Sequence, residues 1–216
     1  MSTKPKICGV ILSAGTSSRM GNDKALLPWP PPAPGSDPTS RETLLSASIA
    51  ALKPFTESVV VVVGANANNL APVIAADGAL MVVNAAPERG QFSSMQIGLQ
   101  QALALGCDAA MITLVDCPPL STASIEKLTA AFQQALANGL WAVAPEHNGK
   151  RGHPLIAGRE LIDAFLAAPI TSNAREVKRA HVQKIVSVPV PDSLLTVDVN
   201  TPEEFAALWL LNTLMG

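Results

Sequence analysis

The sequence predicts a three-layer, doubly wound α/β domain with a mostly parallel central sheet. Three observations predict it. Short unbroken apolar runs at 7–13, 58–63 and 109–115 read as strands buried on both faces, the pattern of parallel strands. Segments with apolar residues at helical spacing alternate with these runs, which is the signature of βαβ units. The 216 residues are 48% hydrophobic and only 15% charged, enough apolar material for one dense core and too little charge for a disordered chain.

The elements follow in order. The run 7–13 closes at Gly15, and the polar, glycine-flanked stretch 16–24 is a loop. Pro30, Pro31, Pro32, Pro34 and Pro38 deny both helix and central strand to residues 29–40. That stretch is a proline-rich insertion in a single domain spanning 1–216. Leu44, Leu45, Ser48, Ile49 and Leu52 predict a helix over 43–52. A strand at 58–63 ends at Gly64; a short helix at 68–76 and a strand at 79–83 come next. Met95, Leu99, Ala102 and Leu103 share one face of a helix over 94–105, with Ser93 as its cap. The strand 109–115 ends at Asp116. Ile125, Leu128, Phe132 and Leu136 face inward from a helix over 121–138, stopped by Gly139. Strands at 141–144 and 155–157 flank a polar turn, and 160–166 is helical. Strands at 182–188 and 195–197 precede a terminal helix over 202–214, with Pro202 in its first position.

Composition excludes several functions. A net charge of −2 and 4% aromatic residues leave no basic field and few stacking platforms, so no nucleic-acid partner is expected. No apolar stretch is long enough for a membrane span, and no secretory signal pattern opens the chain. Cys8, Cys107 and Cys117 lack CxxC spacing and fit a reducing, cytoplasmic setting. The three histidines lack metal-ligand spacing, and His147 and His181 read as surface residues.

Ligands of open α/β sheets bind beyond the carboxyl ends of the strands. Gly15, Gly64, Asn84 and Asp116 all follow strands, so they are expected on one rim. The segment Leu12-Ser13-Ala14-Gly15-Thr16-Ser17-Ser18-Arg19-Met20-Gly21-Asn22-Asp23-Lys24 has two glycines that let backbone N–H groups turn toward an anion. Arg19 and Lys24 add two cations, a combination suited to a triphosphate. The segment is neither a Walker A loop nor a G-x-G-x-x-G fingerprint.

These residues carry a family resemblance. The run LSAGTSSRMGNDKALLP resembles the nucleotidyltransferase signature L-x-A-G-x-S-x-R-M-G-x-x-K. Val115-Asp116-Cys117-Pro118 is similar to that family's D-x-P turn. Asn84 with Gly90, Ser93 and Ser94 resembles its N-x₅-G-x-x-S-S segment, and Asp198-Val199-Asn200-Thr201-Pro202-Glu203 its closing D-x-D-T-P-E. Arg151-Gly152-His153-Pro154 resembles the R-G-H-P of the molybdopterin cytidylyltransferase branch. In order, the motifs span nearly the whole chain and resemble the MobA-like NTP transferase family.

The resemblance implies a Rossmann-like nucleotidyltransferase fold and a reaction. A phosphomonoester acceptor, with molybdopterin the first candidate, attacks the α-phosphate of a nucleoside triphosphate, with CTP favoured, and pyrophosphate leaves. Catalysis is then positioning and charge stabilisation. Lys24 is expected to neutralise charge at the α-phosphate and Arg19 to hold the leaving pyrophosphate. Asp116 and Asp198 are the expected carboxylates for Mg²⁺, with Asn200 as the cap of the last helix. Leu12, Ala14, Gly15 and Gly64 border the base. Asn84, Ser93 and Ser94 contact ribose, base or acceptor. Gly152, His153 and Pro154 face the acceptor, and Cys117 is a small buried hydrophobe. Two departures stand out: the insertion at 29–40, and the stretch Thr171-Ser172-Asn173-Ala174-Arg175-Glu176, where the molybdopterin branch often has G-x-x-G-A-R and only Ala174-Arg175 matches. The alternatives are transfer to a sugar phosphate or other phosphomonoester from GTP, UTP or ATP, and a nucleotide-binding module without turnover. The oligomeric state is left open.

Overall fold

A computed structural model describes residues 4–15, 23–32 and 42–213. Eight strands form one mixed sheet: β1 (Ile7–Ser13), β2 (Ser58–Val63), β3 (Leu80–Val83), β4 (Ala109–Leu114), β5 (Ala142–His147), β6 (Lys150–Arg151), β7 (Leu155–Gly158) and β8 (Ile185–Pro189). Their order is β3-β2-β1-β4-β7-β5-β6, with β8 also paired to β5. Strands β3, β2, β1 and β4 run parallel; β7 pairs antiparallel with both β4 and β5. The helices are α1 (Leu44–Leu52), α2 (Ala67–Ala76), α3 (Gln91–Ala104), α4 (Thr122–Ala137), α5 (Arg159–Ala167), α6 (Ala174–Ala180) and α7 (Pro202–Thr213).

The alternation of side chains along each strand divides the core in two. Ile7, Ile11, Val59, Val61 and Met111 face α1, α2 and α4 through Leu45, Ile49, Leu70, Ile74, Leu128 and Phe132. Cys8, Val10, Val60, Val62 and Ile112 face α3 and α5 through Phe92, Met95, Leu99, Leu161 and Phe165. The expected three layers are therefore present. Every residue of β1 is buried, which is why its sequence is one apolar run.

Strand order reverses between β1 and β4. Both neighbours of the reversal point the same way, so their carboxyl ends open one crevice, the position where such sheets take ligands.

Several sequence expectations are corrected. Helix α3 begins at Gln91, and Gly90, not Ser93, is its cap; with φ 92° Gly90 turns the chain directly from the 3-10 turn Pro87–Arg89 into the helix. Residues 195–197 are not a strand: Leu195 and Val197 N–H groups donate back to Asp192 and Leu194 carbonyls within the 3-10 turn Ser193–Thr196. Helix α6 was not expected. Asn200 does not cap α7. Thr201 Oγ1 accepts from Glu204 N–H at 3.2 Å, while the Glu204 carboxylate accepts from Thr201 N–H at 3.0 Å, a capping box.

The two ends of the proline-rich insertion are pinned together. Trp29 N–H donates to the Glu42 carbonyl at 2.8 Å and Leu44 N–H to the Leu27 carbonyl at 2.8 Å. Leu27 and Trp29 pack on the small cluster of Val199 and Leu208, so the neck of the insertion meets the terminal helix. Residues 33–41 lie outside the described residues. So do residues 16–22, including Arg19.

Candidate active site

The crevice is lined by the end of β1 and its following residues (Leu12, Ser13, Ala14, Gly15), by Asp23 and Lys24, by the start of α3 (Gly90, Gln91, Ser94) and by Val115 and Asp116 after β4. Its volume is about 460 Å³, within the range of small-ligand sites.

Local folding places each group. Asp23 caps the 3-10 turn Lys24–Leu26 by accepting from Ala25 N–H at 3.1 Å. That turn aims Lys24 inward. The Lys24 ammonium donates to Asn200 Oδ1 at 2.9 Å and lies 3.4 Å from Asp116 Oδ2; the two charged side chains are 14% and 26% exposed. A cation so held at the crevice floor is poised for an anion. Asn66 knits the same corner. Its Nδ2 donates to the Ser13 carbonyl at 2.9 Å and to Asp23 Oδ2 at 2.8 Å, and its Oδ1 accepts from Gly64 N–H at 3.0 Å. One side chain thus ties the ends of β1 and β2 to the lysine-bearing turn.

Gly64 does not line the crevice. A Cβ there would sit 2.9 Å from the Ala14 carbonyl oxygen, so its glycine allows β2 to approach the backbone that does. Asn84 is buried and also stands behind the crevice wall. Its Nδ2 donates to Ser93 Oγ at 3.0 Å and Ser94 Oγ at 2.9 Å, and its Oδ1 accepts from Ala86 N–H at 2.9 Å. Ser93 Oγ donates to the Gly90 carbonyl at 2.8 Å. Asn84 and Ser93 therefore position Ser94, the one of the three that lines the crevice.

The segment before α7 docks on the strand-end turn after β4. Val199 N–H donates to the Asp116 carbonyl at 2.9 Å, and the Cys117 thiol donates to Asp198 Oδ1 at 3.3 Å. Burial first, then the Asp198 and Asp116 carboxylates, push the Cys117 thiol far above the ordinary thiol range, so it carries no thiolate chemistry. Among the described residues no three His, Cys, Asp or Glu side chains form a self-sufficient metal cage. Asp116 lines the crevice, whereas Asp198 does not and is tied to the same turn through Cys117; this donor set fits Mg²⁺ nonetheless, because Mg²⁺ takes one or two protein carboxylates and completes its shell with water and phosphate oxygens.

A second cavity of about 540 Å³ adjoins the crevice and shares Leu12, Gly90 and Gln91 with it. His153 lines this second cavity, with its Nδ1 3.3 Å from the Ile112 carbonyl. Burial pulls the His153 pKa below its ordinary value. Gly152 is a packing glycine: a Cβ there would strike the Leu195 carbonyl and side chain. Pro154 is buried beside them.

Sequence reasoning missed Asn200, which read as a helix cap, and Asn66, which carried no motif. It also passed over Ser13, whose buried Oγ has no hydrogen-bond partner among the described residues and which lines the crevice. A serine ending an otherwise apolar strand was the available signal.

Comparison with known proteins fits this geometry. The MobA-like NTP transferase domain matches residues 9–185. A molybdenum cofactor cytidylyltransferase of Escherichia coli (strain K12) is 24% identical over 197 residues, covering 91% of this chain and 92% of its own. A probable molybdenum cofactor guanylyltransferase of Rhodopirellula baltica is 28% identical over 205 residues, covering 93% and 90%. Among solved structures, Rv0371c of Mycobacterium tuberculosis H37Rv superposes with a TM-score of 0.74 at 22% identity, over 96% of this chain and 98% of the other. No helix among the described residues is long and apolar enough to cross a membrane.

Proposed function

The chain belongs to the MobA-like NTP transferase family and is a nucleotidyltransferase of that type; we propose that it moves a cytidylyl group from CTP to a phosphomonoester acceptor, with molybdopterin the first candidate. An acceptor phosphate oxygen attacks the α-phosphorus, the bond to the bridging oxygen breaks, and pyrophosphate leaves with that oxygen. No side chain is acylated or phosphorylated. The protein aligns the reactants and stabilises charge.

The observation that supports this reading most is Lys24 held between Asp116 and Asn200 at the strand-order reversal. Its ammonium donates to the α-phosphate as charge gathers there. Arg19 is assigned to the pyrophosphate end. Leu12, Ala14 and Gly15, backed by Gly64, border the base, and Ser94, positioned by Asn84 and Ser93, contacts the ribose or base. Gly152, His153 and Pro154 form the acceptor side. Asp116 and Asp198 would hold Mg²⁺, which when bound neutralises phosphate charge. CTP is preferred because residues 151–154 carry the R-G-H-P of the cytidylyl branch. The guanylyltransferase relative keeps GTP as the second reading.

Thermal unfolding with CTP, GTP, ATP and UTP, with and without Mg²⁺, tests this. A nucleotide at about 100 times its Kd adds ~2.7 kcal/mol, a rise of roughly 5–11 °C for a chain of this size. The largest Mg²⁺-dependent shift is expected with CTP, followed by pyrophosphate release once a pterin phosphate is added. A larger shift with GTP transfers the proposal to the guanylyl reaction. No shift with any nucleotide overturns it.

A further inference from the structure

We propose that Arg175 and Lys178 of α6, with Arg151 beside them, form an anion subsite that seats the phosphate of an acceptor whose body is a planar ring system. The inference rests on the transferase reading above and deepens it by assigning residues and a chemical class to the acceptor side.

The observations are these. The second cavity has walls of opposite character. One is apolar, built from Met95, Leu155, Phe92 and Phe165, the two phenyl rings meeting edge to face with centroids 6.3 Å apart. The other carries Arg175 and Lys178 from α6. A smaller adjoining cavity of about 280 Å³ shares His153, Arg175 and Lys178 and adds Arg151. No acidic side chain lines either cavity. Among the described residues, none of these three cations makes an ion pair. Arg151 is held by a 2.7 Å hydrogen bond from its Nε to Ser187 Oγ, which leaves its terminal nitrogens for a ligand.

The cations also feel each other. Burial, then Arg151 and Arg175, lower the Lys178 pKa, so the three positive groups crowd one place. Like charges gathered without a counter-charge cost stability, and an incoming anion relieves that cost. His153 lies within electrostatic reach of Lys178 and also of Asp198 and Asp116. His153 lines both cavities that carry Arg175 and Lys178, and the larger of these two shares Leu12, Gly90 and Gln91 with the crevice. A phosphate seated on Arg175 and Lys178 stands beside the crevice that holds Lys24. A ring attached to it lies against the phenyl wall.

The test uses 1-naphthyl phosphate, a two-ring phosphomonoester, with 1-naphthol as its uncharged control. Both are titrated calorimetrically into the full chain and into R175Q/K178M, without nucleotide. Charged hydrogen bonds of this kind are worth roughly tenfold or more in affinity. The double variant should bind 1-naphthyl phosphate at least about tenfold more weakly, while 1-naphthol binding and the CTP–Mg²⁺ thermal shift stay as in the unaltered chain. R175K/K178R should recover most of the loss. Equal affinity of the two chains for 1-naphthyl phosphate overturns the proposal, as does absence of binding to the unaltered chain. The titration needs no nucleotide, so failure of the CTP shift counts against the transferase reading and leaves this subsite to be judged separately.

Discussion

Lys24 shows how a single side chain acquires a role. Its ammonium has Asn200 and Asp116 among its neighbours, at 2.9 and 3.4 Å, and it lines the crevice. Lys24→Met should keep the fold by circular dichroism and lower the rate of pyrophosphate release by ~10²–10³, the usual loss for one donor to a developing oxyanion. A rate within twofold of the unaltered enzyme would remove Lys24 from the chemistry. Asp116 was legible in the sequence because it ends an apolar run, where a charge has no packing reason to be, and Lys24 because it closes the glycine-flanked polar loop that carries the family signature. Asn200 was not, because asparagine before Thr-Pro-Glu-Glu looks like a helix cap. Only the fold shows that Thr201 and Glu204 cap α7, which frees the Asn200 amide for Lys24. Asn66 was invisible for another reason: its three partners come from 43 to 53 residues upstream and from its own turn.

At the scale of elements, the contact of α3 with the sheet depends on Gly98. A Cβ at that position would lie 2.5 Å from Val10 Cγ1 and 2.9 Å from Val62 Cγ2. Both valines are fully buried and cannot yield. Gly98→Ala gains roughly 1 kcal/mol of helix propensity and incurs ~1–3 kcal/mol of overpacking. The variant should therefore melt lower, at ~2–4 °C per net kcal/mol lost, with a shift in Tm as the readout. A higher Tm would mean that α3 can lift off β1 and β2 without loss. Sequence reading found most helices and strands within a few residues because burial on both faces writes continuous apolar runs, and burial on one face writes stripes. It missed α6 because Val177 is that helix's single buried residue, leaving no stripe to read. It misread 195–197 because Leu195 packs into the core, and Val197 onto the small cluster of Val199 and Leu208, from a turn rather than a ladder.

For the whole molecule, one buried titration sets a pH window. The fold disfavours protonated His153, so its native pKa lies below its ordinary 6.5. Above 6.5 both folded and unfolded forms are neutral there and the contribution is fully present. As pH falls below 6.5 the unfolded chain takes up a proton that the native state resists, and stability drops until the native pKa is passed. Urea unfolding at intervals from pH 7.5 to 5 should show this loss in the unaltered chain and a shallower one in His153→Gln. Parallel curves would place the acid sensitivity elsewhere.

Lys24, proposed above to meet the reacting phosphate, and Asn200, which accepts its hydrogen bond, are separated by 176 positions. All eight strands of the sheet are synthesised before Asn200 exists. At ~5–20 residues per second, roughly 9–35 s pass between the two residues during translation. Closing so long a loop adds only modest entropy, since that cost grows with the logarithm of length. The delay is therefore one of order rather than of free energy. A growing chain can pack its parallel strands and complete the lining of its crevice before Asn200 arrives to hold Lys24.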